Sequence, residues 1–275
     1  MPRLKRSGKA TLHYEIDDFT DPWDRRPVLL LQHGYGRSGV FWYRWLPLVA
    51  RHFRVLRPDW RGFGQSPVDF DPETQMSVED LLDDLLAVID AAGNGSVHYC
   101  GESLGGTLGM LLAARHPRKV RSLTVISSPS VVPVATREGM RFGYPTWTDA
   151  LQAMGTRAWV AAGNDSTRFP QGTDPGLVSW YTDEMGKTDL RSMVAMGRTA
   201  HTIDARPWLG RIRVPVLGLY PTAGPVTGAD EESIRNEIPD IRFVRLPMRF
   251  HAIQFLMARE CAQAVLEFAG SGRPG

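Results

Sequence analysis

Cysteine is nearly missing from this 275-residue chain: Cys100 and Cys261 are the only two, and each sits alone in an apolar stretch. Neither has a neighbour with which to form a metal or redox pair, so a disulfide framework is excluded and a reducing compartment is the default. Long apolar runs are also missing, none approaching the ~18 residues that a membrane span needs. The start, Met1-Pro2-Arg3-Leu4-Lys5-Arg6, has the charge of a signal peptide, but Ser7-Gly8-Lys9 stands where its apolar run would begin. A cytoplasmic protein is expected. Charge of one sign is lacking too, with 32 basic against 30 acidic residues and a net charge of +2 spread along the chain. That balance gives no electrostatic footprint for nucleic acid or a membrane surface as partner. There is no H-E-x-x-H, no cysteine pair and no histidine–carboxylate cluster, so neither a metal nor another cofactor is expected.

What is present is enough apolar sequence to bury a large core, 43% hydrophobic against 23% charged. Short β-rich runs at 28–31, 53–56, 97–100, 123–126, 216–219 and 241–244 alternate with helical patterns. This alternation predicts an α/β fold, a mostly parallel central sheet with helices on both faces. Residues 12–16 read as an earlier antiparallel strand. The clearest helix is 77–92, capped by Ser77 with Asp80 three residues on, and carrying Leu81, Leu82, Leu85, Val88 and Ile89 as one stripe.

The rhythm breaks after Ile126. About 70 residues of helical pattern follow, too many for a structureless loop. They predict a helical cap over residues 133–207, inserted in a core made of 1–132 and 208–275. The cap is rich in large side chains, and although most of them would be packing, a cap also makes a cleft. Trp159, Trp180 and Tyr181, with Met185, are the candidates to line it and to favour a small apolar or aromatic substrate.

Three motifs carry chemistry. Gly101-Glu102-Ser103-Leu104-Gly105 lies between a strand and a helical pattern, the context in which G-x-S-x-G holds a serine on a tight turn, its hydroxyl exposed. Ser103 is the candidate nucleophile, and the backbone N–H of Leu104 at the helix start would face an oxyanion. Gln32-His33-Gly34-Tyr35-Gly36-Arg37-Ser38-Gly39 follows the 28–31 strand and offers the N–H of Tyr35 as a second oxyanion donor. It is also literally G-x-G-x-x-G, with Asp59 twenty residues beyond Gly39, so a dinucleotide site is a rival reading. Of seven histidines, His251 alone falls in a late loop, after the 241–244 strand and before a final helix at 261–268. There it would serve as general base.

Together His33-Gly34, the stretch Arg57-Pro58-Asp59-Trp60-Arg61-Gly62-Phe63-Gly64-Gln65-Ser66, the Ser103 turn, Pro215-Val216-Leu217 and His251 resemble a capped α/β-hydrolase over most of the chain, from Val28 to Phe268. The resemblance implies a serine hydrolase acting on an ester, lactone or activated amide through an acyl-enzyme. It implies little about the substrate, because one fold carries many activities. One departure stands out. Where the family places its acid, this chain has Gly224, and the alternative site holds Ser127-Ser128-Pro129. A carboxylate from Glu102, Asp230, Asp183 or Glu184 could replace the acid, a dyad could work without it, or the site could have become a binding pocket. A cofactor-free lyase or oxygenase using His251 as base is a further alternative.

Overall fold

The computed structural model describes residues 3–93, 95–164, 168–223 and 228–270. Eight strands form one sheet: β1 (Arg3–Leu4), β2 (Leu12–Asp17), β3 (Val28–Gln32), β4 (Arg54–Pro58), β5 (Val97–Glu102), β6 (Val120–Ile126), β7 (Val216–Pro221) and β8 (Ile241–Leu246). Their spatial order is β1-β2-β4-β3-β5-β6-β7-β8. The first two run antiparallel and the other six are mutually parallel. Every residue of β3 and β7 is buried, as a parallel sheet covered on both faces requires.

Alternation along the strands divides the core in two. Leu30, Leu56, Tyr99 and Leu123 face the helices Val78–Ala91 and Leu104–Arg115, while Leu29, Leu31, Val55 and Cys100 face Trp42, Trp45 and the helix Ala258–Gly270. The expected capping box forms at Ser77, whose hydroxyl accepts from the Asp80 N–H while the Asp80 carboxylate accepts from the Ser77 N–H. Both cysteines are buried free thiols. Among the described residues no helix is long and apolar enough to cross a membrane.

The strand order reverses at β3, which has β4 on one side and β5 on the other. Such a switch point opens a crevice at the carboxyl ends of the strands. Gln32 stands opposite Gly101, so β3 and β5 release the chain at the same level and place His33 beside Ser103. Between β6 and β7 the chain leaves the sheet for six helices among the described residues, Val134–Gly139, Trp147–Met154, Thr156–Gly163, Pro175–Gly186, Leu190–Thr202 and Arg206–Leu209. It returns where it left, the Ala205 N–H donating to the Ser130 carbonyl at 2.8 Å.

Asp59 shows why the glycine run after β3 is not a nucleotide cradle. Its carboxylate is 5% exposed and accepts from the N–H of Gly39 at 2.6 Å and of Gln65 at 2.9 Å, with Nδ1 of His13 at 2.8 Å. Burial works against its charge, but these partners and the nearby His33 hold the carboxyl below its ordinary range. Both oxygens of Asp59 are engaged within the protein, and Gly39 starts a four-residue 3₁₀ turn, Gly39–Trp42, in place of a phosphate-binding helix. Asp59→Ala, which orphans the buried Gly39 N–H and removes the partner of the buried His13 ring, is expected to cost about 3 kcal/mol and lower Tm by about 6 °C in a thermal melt. An unchanged Tm would contradict this bracing role.

Candidate active site

Ser103 is the only residue between β5 and the helix Leu104–Arg115, and it holds φ 52° and ψ −126°. An L residue pays about 1–3 kcal/mol for such backbone, so the surroundings must enforce it. They do so by close approach: a Cβ on Gly105 would lie 2.6 Å from the His33 carbonyl oxygen, and one on Gly101 equally close to the Gly105 carbonyl. Ser103 itself donates its N–H to the Ile126 carbonyl at 2.9 Å, and its own carbonyl accepts from Gly106 and Thr107. With the backbone thus fixed, the side chain opens into a cavity.

The turn after β3 is held from two sides. The His33 ring places Nδ1 2.9 Å from the Gly34 carbonyl, and its Nε2 accepts from the Trp60 N–H at 3.2 Å. Burial, aided by Arg37 and opposed by Asp59, pushes the imidazole down to about 4, so at neutral pH it is an uncharged brace. The Gly34 N–H donates to Glu102 Oε1 at 2.6 Å. The next N–H, of Tyr35, has no hydrogen-bond partner among the described residues, and neither has the N–H of Leu104 at the helix start.

His251 follows β8 and precedes the short helix Ile253–Leu256, and it lines the same cavity as Ser103, Tyr35 and Leu104. The structure therefore brings together all four residues nominated for the chemistry. Burial, reinforced by the positive charges of Arg37 and Arg168, drives its pKa down to about 3. No carboxylate reaches the ring among the described residues. Each acid considered from sequence is engaged elsewhere. Glu102 takes Gly34, the Arg37 Nε at 2.8 Å and the Gln254 amide at 2.9 Å. Asp230 takes the N–H and hydroxyl of Ser130, Asp183 pairs with Arg157, and Glu184 with Lys187. Gly224 lies outside the described residues.

The cavity measures about 190 Å³. Its walls include Val132, Pro133, Met140 and Trp147 together with Arg37 and Arg168, whose positive charges act on His251. The expected aromatic lining is corrected here. Trp159 is fully buried, its indole N–H donating to the Met140 carbonyl, and Trp180 stacks on Phe255 at 5.7 Å, away from the cavity. Tyr181 is buried against Phe41 and Phe169 and acts from behind, its hydroxyl accepting from Arg37 at 2.9 Å. The aromatic wall comes instead from Tyr35 and Trp147, stacked at 5.3 Å. Sequence reasoning passed over Arg168, which no spacing sets apart from the other arginines, and treated Arg37 only as a variable position in a glycine motif.

A family model described as alpha/beta hydrolase fold matches residues 27–257. Among curated proteins, the chain is 27% identical to a putative carbamate hydrolase RutD from Azorhizobium caulinodans, the match covering 96% of each chain. It is 29% identical to that of Agrobacterium fabrum, over 75% of this chain and 77% of the relative. Among solved structures it is similar to an enol-lactonase from Burkholderia xenovorans LB400, with a TM-score of 0.86, 23% identity and coverage of 98% and 100%. A hydrolase from Pseudomonas aeruginosa PA01 matches with a TM-score of 0.84, 28% identity and 98% coverage of both chains.

Because Glu102 is the buried counter-ion of Arg37, Glu102→Gln is expected to leave an unpaired cation at a cost of about 3–5 kcal/mol. That corresponds to a Tm lower by about 6 °C or more, read by thermal melt. A change of under 1 °C would show that the carboxylate is dispensable.

Proposed function

Since the chain belongs to the α/β-hydrolase fold family, we propose that it is a serine hydrolase cleaving an ester-like carbonyl bond through an acyl-enzyme on Ser103. The observation that carries this reading is the strained Ser103 backbone, φ 52°, opening on the cavity that His251 also lines. In the proposed cycle His251 takes the Ser103 proton as Oγ attacks the carbonyl carbon. The N–H groups of Tyr35 and Leu104 stabilise the oxyanion, and His251 passes the proton to the leaving group. Water, deprotonated by the same imidazole, then attacks the acyl carbon, the C–Oγ bond breaks, and the imidazolium returns its proton to Ser103 Oγ.

The helical segment between β6 and β7 serves as the cap, since Val132, Met140, Trp147 and Arg168 close the cavity over Ser103. The names of the relatives, a carbamate hydrolase and an enol-lactonase, fit attack on an activated carbonyl. So does the base. With no carboxylate on its ring among the described residues, His251 is a weak base, and a weak base suits a substrate whose leaving group departs readily.

Two measurements test the reading. Fluorophosphonate treatment followed by intact mass should show a single adduct on the wild type and none on Ser103→Ala, which should also lose turnover of a short aryl ester by at least a thousandfold. Retained turnover in that variant would overturn the mechanism. The second is the pH profile. Because the folded imidazole stays unprotonated down to about pH 3, kcat/KM should stay level between pH 7 and pH 5, checked for native fluorescence throughout. An imidazole of ordinary pKa would lose about thirtyfold by pH 5, and that loss would contradict the account.

A further inference from the structure

Among the described residues the charges around the cavity do not balance. Arg37 and Arg168 both line it, and they are only 5% and 7% exposed. Arg37 has a counter-ion in Glu102, at 2.8 Å. For Arg168 no carboxylate lies within ion-pair distance among the described residues. Its Nη1 donates to the Val160 carbonyl at 2.9 Å and to Asn164 Oδ1 at 3.3 Å, both neutral acceptors. Its guanidinium also sits near the rings of Trp159 and Tyr181, at 5.8 Å and 5.9 Å from their centroids. Carbonyls and ring faces fix where the cation stands without cancelling it.

A buried cation without an acid is costly, and arginine does not escape the cost by losing its proton. Among the described residues the two guanidinium groups share one carboxylate, and the positive charges of both act on His251 beside Ser103. Burial and the charge of Arg37 accordingly pull the Arg168 pKa below its usual value. Two residues far apart in the chain, one after β3 and one in the helical segment, converge on this space.

We infer that Arg37 and Arg168 form the subsite for a carboxylate on the substrate, so that the bond cleaved belongs to a small acid carrying an ester-like group. This deepens the reading of Ser103 as nucleophile and rests on it. The planar fork of arginine matches a carboxylate bidentately. The apolar part of the wall, which includes Val132, Pro133, Met140 and Trp147, suits the short carbon skeleton between the two groups. The small apolar or aromatic substrate expected from sequence becomes one with a charged end.

The test has a binding arm and a kinetic arm. In calorimetry, wild type and Ser103→Ala should both bind glutarate at least tenfold tighter than the neutral glutaramide, with inorganic phosphate weaker than glutarate. Arg168→Met should weaken glutarate at least tenfold, and Arg168→Lys, which keeps the charge without the fork, should fall between. In the kinetic arm, wild-type kcat/KM for the mono-4-nitrophenyl ester of glutaric acid should exceed that for 4-nitrophenyl pentanoate at least tenfold. That ratio should collapse towards one in Arg168→Met, chiefly through KM. Glutarate binding no better than glutaramide, or a ratio near one in the wild type, would overturn the inference, and both comparisons stand whether or not Arg168→Met folds. Tighter binding of phosphate would overturn the assignment to a carboxylate. Glutarate binding with no turnover of either ester would support the subsite while removing the hydrolase reading beneath it.

Discussion

One buried carboxylate ties the site together. Glu102 ends β5, immediately before the strained serine, and its two oxygens reach three separate pieces of chain. Oε1 receives the Gly34 N–H and the charge of Arg37, while Oε2 receives the amide of Gln254, three residues beyond His251. Burial pushes its carboxyl above the ordinary range, against the pull of Arg37 and the Gly34 N–H. The turn that carries Tyr35, the cation at the cavity wall and the loop that carries His251 are all referred to the residue next to Ser103. Displacement of any one of them leaves a buried polar group unpaired, and this cost makes the arrangement rigid.

Catalytic power in this account comes more from placement than from a strong base. Ser103 is held by its glycine neighbours, and the proposed oxyanion donors, the N–H groups of Tyr35 and Leu104, have no hydrogen-bond partner among the described residues. His251 is enclosed and faces two guanidinium groups, which keep it neutral and weaken it as a base. A carboxylate carried in by the substrate would offset that same field. The absence of a fixed acid against the ring, among the described residues, and the surplus of arginine are then two aspects of one electrostatic arrangement.

The fold was legible because parallel strands buried on both faces must be apolar throughout, and residues 28–31 and 216–219 have no other reading in this rhythm. That Ser103 and His251 line one cavity was legible because a tight turn between strand and helix and a late loop both leave local marks. Side chains whose roles depend on distant partners left none. Arg168 meets Arg37 only after the sheet and the helical segment have assembled, and nothing in the residues around either position signals the meeting. Aromatic content likewise reveals a helix that packs without revealing which side packs. Trp159 and Tyr181 face inward as core, whereas Trp147, at the start of its helix, reaches the cavity by stacking between Tyr35 and His201.

The most direct test of the central claim is a crystal structure of the protein after reaction with a small fluorophosphonate. The phosphorus should be bonded to Ser103 Oγ, with one phosphonyl oxygen about 2.7–3.1 Å from both the Tyr35 and the Leu104 nitrogens and the His251 ring beside Oγ. An adduct on any other residue, or a phosphonyl oxygen turned away from both nitrogens, would contradict the account.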